Sequence, residues 1–92
     1  MRKRFFLDDE DRFTIPDPDT LLDVDAALDR LALEDPTSAE VARFRLFAGL
    51  AVEEIAEALG MSRASAFREW AYARAWLTDA LAARKLDDEG EA

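Results

Sequence analysis

The sequence predicts an all-α fold: a compact helical bundle of about four helices containing a helix-turn-helix, with a long C-terminal helix. Three observations carry this. Apolar residues recur at helical spacing from about residue 20 to about residue 85. The period is cut at Asp35-Pro36, at Gly49 and at Gly60-Met61-Ser62, each a helix-boundary signal. No segment of that body alternates apolar and polar residues as a half-buried strand does.

The first helix is expected to begin near Thr20, with Asp19 or Thr20 as its cap and Asp23 complementing the positive N-terminal end. Leu21, Val24, Leu28 and Leu31 share one face. Glu34-Asp35-Pro36 ends it, because a residue before proline is pushed out of helical geometry. Asp35 then caps a second helix, with Pro36 at a first position where the missing N–H costs nothing. Val41, Phe44 and Ala48 form its expected inner stripe, Leu46 and Phe47 flank it, and Gly49 is the expected left-handed stop. A short third helix spans about residues 52–59, with Ile55, Ala56 and Leu59 inward. Ala51 stands where a capping hydroxyl would contribute roughly 1 kcal/mol. Ser62 caps the long fourth helix, expected to reach about Lys85, with Ala66, Trp70, Ala73 and Leu77 inward and Arg84 and Lys85 suiting its negative end. Trp70 and Trp76 read as core residues. Residues 1–19 have no sustained period and read as a linker or arm, although Phe5, Phe6, Leu7, Phe13 and Ile15 are able to dock or to form a short strand. Residues 86–92 read as a disordered acidic tail.

Composition narrows the chemistry. The 92 residues, half of them hydrophobic, suit one small domain. There is no cysteine, hence no disulfide and no thiolate metal site, and no histidine, the commonest general base and zinc ligand. The acidic runs Asp8-Asp9-Glu10-Asp11 and Asp87-Asp88-Glu89 are consecutive and near the ends, which marks them as solvated rather than metal-binding. The expectation is a non-enzyme with no cofactor and no metal. No apolar run approaches the ~20 residues of a membrane span. The basic and then apolar start runs straight into acid, unlike a signal peptide, so a cytoplasmic protein is expected. The net charge of −9 is uneven: residues 1–35 carry −6, residues 36–85 carry +1 and residues 86–92 carry −4. The middle can therefore still hold a local basic patch.

The motif with functional content is Ile55-Ala56-x-x-Leu59-Gly60-Met61-Ser62. Only three residues separate the last two helices, which favours a steep crossing over an antiparallel hairpin. Ala56 permits close approach, Gly60 supplies a positive φ, and Met61 fills the space beneath the turn. The plain alternative is an ordinary helical corner. At about 100° per residue, Ala64, Arg68, Ala71 and Ala75 lie opposite the core stripe, with Ser65 and Tyr72 on one flank and Phe67 on the other. An arginine among alanines reaches a guanine edge or a phosphate. Arg63 lies in the first turn, where the helix dipole favours phosphate, and Ser62 and Ser65 can touch phosphate or base edges. Phe67 can meet a thymine methyl. The expected DNA-binding set is therefore Ser62, Arg63, Ser65, Phe67, Arg68 and Tyr72. A solvated face is the competing reading of the two arginines. Glu69, between the core and the outer face, opposes phosphate unless it pairs with an arginine. So few cations give weak, salt-dependent binding unless something else brings the module to DNA.

The run Val41-x-x-Phe44-Arg45-x-Phe47-x-Gly49-Leu50-x-Val52-Glu53-Glu54-Ile55-Ala56-x-x-Leu59-Gly60-Met61-Ser62-Arg63 resembles region 4 of bacterial RNA polymerase sigma factors. The continuation Glu69-Trp70-Ala71-Tyr72-Ala73-Arg74-Ala75-Trp76-Leu77 resembles the extracytoplasmic-function (ECF) type. The resemblance spans residues 20–85. It implies a transcription initiation module that recognises the minus-35 promoter element and docks on the β-subunit flap of core RNA polymerase, with an anti-sigma or other regulator as a further class of partner. It puts Arg63, Ser65, Phe67 and Arg68 at DNA and Leu46, Phe47 and Leu50 near the flap. The residues depart from the family pattern at Glu69, often basic, and at Ala51, usually a hydroxyl. The sigma region that grips core polymerase and melts the minus-10 element is not among these residues, so the resemblance implies a cut-out domain or a short relative, unable to start transcription alone. The alternative function is a protein-interaction or regulatory module that binds polymerase, a regulator or itself, with the acidic ends mimicking DNA or shielding the recognition helix.

Overall fold

The computed structural model describes residues 18–91, and the side chains of residues 19–83. The described residues form four helices: α1 (Pro18–Glu34), α2 (Pro36–Leu46), α3 (Val52–Leu59) and α4 (Arg63–Glu91). Residues 1–17, most of the expected arm, lie outside the described residues.

α1 opens at Pro18, two residues before the expected start. Val24, Ala27, Leu28 and Leu31 are buried. Leu21 shares their face by period yet is exposed, so among the described residues no helix covers that first turn. The corner after α1 forms as expected. Asp35 Oδ1 accepts the Ser38 N–H at 3.1 Å, and the Ser38 hydroxyl donates to the Asp35 carbonyl at 3.2 Å, with Pro36 at the start of α2. The buried Ser38 is thereby satisfied.

α2 departs from expectation. It ends at Leu46, and Gly49 takes up its left-handed φ of +74° three residues further on. Ala48 therefore leaves the helical period and is exposed. The buried face of α2 is Ser38, Ala39, Val41, Ala42, Arg45 and Leu46, with Phe44 only partly covered. A face containing a serine and an arginine gives no clean apolar stripe in sequence. On the other side, Arg43 bridges Asp25 Oδ1 at 2.7 Å and Asp29 Oδ1 at 2.6 Å, tying α2 to α1.

α3 spans the expected residues, with Val52, Ile55 and Ala56 buried and Leu59 partly so. Ala51 has no side-chain oxygen for a cap, but its N–H donates to Glu54 Oε1 at 2.8 Å. That is the half of a capping box an alanine leaves possible. α4 buries Ala66, Trp70, Ala73 and Leu77, the stripe read from the sequence. It runs to Glu91, six residues past the expected end, so residues 86–91 continue the helix. Arg84 and Lys85 thus lie inside α4 rather than at its C-terminal end. Leu86-Asp87-Asp88-Glu89 holds no proline or glycine to stop it.

Candidate nucleic-acid interface

The turn between α3 and α4 sets the interface. Gly60 adopts φ 68° and ψ 36°. Its N–H donates to the Glu57 carbonyl at 3.3 Å, and the Met61 N–H donates to the Ala56 carbonyl at 2.9 Å. This pair of bonds is the Schellman arrangement, which satisfies the last carbonyls of α3. Met61 packs beneath it against the core. Two residues later the Ser62 hydroxyl accepts the Ser65 N–H at 3.0 Å, and α4 begins. Three residues join the two helices, and the start of α4 is held by hydrogen bonds within the turn and cap.

On α4 the expected DNA-binding residues are accessible. Ser62, Arg63 and Arg68 are exposed, Ser65 is half-buried, and Phe67 and Tyr72 are 46% and 45% exposed. Ser62, Ser65 and Arg68 form one linked set, because Arg68 Nη2 donates to the Ser65 hydroxyl at 3.3 Å. Phe67 lies on the opposite flank. Arg63 is about 140° around the helix from Arg68, so it belongs to the N-terminal tip rather than to the outer face. Ala64, Ala71 and Ala75 are exposed around Arg68. Neither Arg63 nor Arg68 makes an ion pair among the described residues. Arg43, by contrast, is committed to two carboxylates.

Glu69 forms no ion pair with an arginine among the described residues, the pairing that the sequence allowed. It is half-buried. Its carboxyl is held above the usual carboxylate range, first by desolvation and then by the negative charge of Asp35, with Arg68 partly offsetting both. Its flank of α4 therefore looks toward the corner between α1 and α2.

Of the expected docking residues, Leu46 is buried in the core. Phe47 is 42% exposed and Leu50 is half-buried, so these two form the accessible part of that surface. The residue that sequence reasoning passed over is Arg45. It is 5% exposed, its Nη1 donates to the Leu50 carbonyl at 2.9 Å, and its guanidinium carbon lies 5.9 Å from the Trp70 ring centroid. The Leu50 carbonyl is five residues along the chain, but the Trp70 ring comes from α4, so no local pattern marks the site. Trp76 is partly buried, with the Arg30 guanidinium 5.9 Å from its ring centroid.

Among the described residues there is no grouping of three acids able to hold a metal ion, and no helix long and apolar enough to cross a membrane. The model of the ECF sigma factor family matches residues 1–83, taking in the arm as well as the four-helix body. Neither a curated protein nor a solved structure matches the chain. A match over that much of the sequence, on a helical body with a tight turn and an exposed helix face, decides the question: the chain belongs to the ECF sigma factor family, whose members are transcription initiation factors acting with RNA polymerase on promoter DNA.

Proposed function

We propose that residues 20–85 are the region-4 module of this sigma factor, which lays α4 in the major groove of the minus-35 element. The observation that carries this is the outer face of α4, where Arg68 stands exposed among Ala64, Ala71 and Ala75 and makes no ion pair among the described residues. Alanines let a helix backbone approach the groove floor, and an arginine there can bond bidentately to a guanine. Ser62, Arg63 and the N–H groups of the first turn contact phosphate, Ser65 and Tyr72 flank Arg68, and Phe67 meets a thymine methyl. Phe47 and Leu50 dock on the β flap of core polymerase, in the cytoplasm. Docking delivers the module to DNA, which so few cations would hold weakly alone.

The acid at the C-terminal end does not shield α4. Residues 87–91 continue the same helix, roughly 30 Å along its axis from Arg68, several screening lengths at physiological salt. Fluorescence anisotropy at low salt tests the proposal, with minus-35 duplexes and the chain bound to core polymerase. Arg63→Ala with Arg68→Ala is expected to abolish preference for promoter over unrelated duplex. Unchanged binding by the double variant would remove these residues from the interface.

A further inference from the structure

We infer that Arg45 is a positioning residue for DNA binding: it sets the roll of α4 about its own axis by holding the Leu50 carbonyl while facing the Trp70 ring. The inference rests on the proposal that α4 meets DNA. Arg45 is the one charged residue among the buried described ones. A guanidinium taken out of water is costly unless its surroundings compensate, and an apolar side chain of similar length would fill the same space without that cost. What the guanidinium adds is direction. With Nη1 on a carbonyl and the guanidinium over an aromatic ring, it relates the two by direction, which methylene packing does not.

The first turns of α4 need such a constraint. Their buried residues are Ala66, Trp70 and Ala73. Two alanines present a smooth surface and resist rotation weakly, so Trp70 is the large key in that stretch, and Arg45 is packed against it. Trp70 and Arg68 are two residues apart and lie on opposite faces, so any roll that shifts the indole turns Arg68 through the same angle. A roll of about 15° moves a guanidinium ~7 Å from the axis by ~2 Å, far beyond the tolerance of a bidentate hydrogen bond. Arg45 also links Trp70 of α4 to the Leu50 carbonyl, and Leu50 is one of the two proposed docking residues, so one side chain connects that proposed surface to the helix proposed to read DNA.

Two variants of the full chain test this. Arg45→Met keeps length and removes the charge, whereas Arg45→Lys keeps the charge and removes the planar fork. Each is compared with the wild type on the short duplex that the wild-type chain enriches from a randomised pool, and on the unenriched pool. Arg45→Met is expected to weaken binding of the enriched duplex about tenfold, because base contacts demand alignment. Pool binding should stay within about twofold, since phosphate contacts tolerate a small roll. Arg45→Lys should fall between. Equal losses on both DNAs that follow the folded fraction by circular dichroism would make Arg45 merely structural and overturn the inference, as would no loss at all. If Arg45→Met does not fold, Arg45→Lys carries the same comparison. All binding is measured with the chain bound to core polymerase; if the wild type so bound enriches nothing, the promoter-reading proposal fails, and amide resonances of the free chain decide. Shifts along residues 63–70 would support positioning; shifts confined to residues 44–52 would overturn it.

Discussion

Glu54 Oε1 accepts the backbone N–H of Ala51 at 2.8 Å, so α3 starts with half a capping box. The backbone of Ala51, at φ −71° and ψ 155°, already has the extended geometry of an N-cap. Ala51→Ser supplies the missing oxygen without rearrangement and is expected to stabilise the fold by about 1 kcal/mol. Glu54→Ala removes the existing half and should cost about 0.5–1 kcal/mol. Thermal melts of both variants check this, and a lower melting temperature for Ala51→Ser would show that the cap is not limiting.

Gly60 is a clean test of backbone strain. A Cβ built there meets nothing within 4 Å, yet φ is +68°. Gly60→Ala is thus expected to cost about 1–2 kcal/mol from conformation alone, and Gly60→Asn less. Urea titrations should show a lower midpoint with an unchanged slope.

Arg43 joins α2 to α1 through Asp25 and Asp29. All three side chains are substantially exposed, so each pair contributes only about 0.2–1 kcal/mol. Arg43→Ala should lower stability by about 1 kcal/mol at low salt and by less at high salt. A salt-independent loss would indicate packing of the arginine stem instead.

Glu69 has a folded-state pKa above its unfolded value, because burial and Asp35 disfavour its charge. Its contribution to stability is therefore favourable while it is protonated in both states, and is lost as pH rises through the folded value. At neutral pH Glu69→Gln should be more stable than the wild type, and the difference should vanish as the pH falls below the usual carboxylate value of 4.5. The same change removes a negative charge about 100° around α4 from Arg68, so affinity for duplex DNA should rise at neutral pH. Parallel melts and anisotropy across that range decide; a stability gain that persists in acid would refute the charge explanation.

Arg63 and Arg68 make no ion pair among the described residues. If both meet phosphate, their joint replacement by alanine should reduce the slope of log affinity against log salt by about 2. If Arg68 instead meets a base, the slope should fall by about 1 and sequence preference should weaken. A slope that does not change would place both side chains in solvent.

Much of the fold was legible because its signals are local. Asp35-Pro36, Gly60 and Ser62 satisfy or end helices through bonds reaching no more than five residues, so each boundary can be read from its neighbours. The buried stripe of α4 was legible because Ala66, Trp70, Ala73 and Leu77 are all apolar and follow one period. α2 was harder to read. Its core face includes Ser38 and Arg45, so hydrophobic patterning pointed to Phe44 and Ala48 instead. The accessible residues of the interface followed from the α4 wheel, but the burial of Leu46 did not.

The sequence by itself determined the helix order, the tight turn at Gly60-Met61-Ser62, the outward position of Arg68 and the likeness to ECF sigma factors, the family that the match then established. Tertiary structure decided what those elements do to one another: Arg43 reaching back to α1, Glu69 placed near Asp35, and Arg45 buried between the Leu50 carbonyl and Trp70. The division has a physical cause. Caps and turns close their hydrogen bonds within one helical turn, whereas the value of a buried charge depends on partners that only packing brings to it.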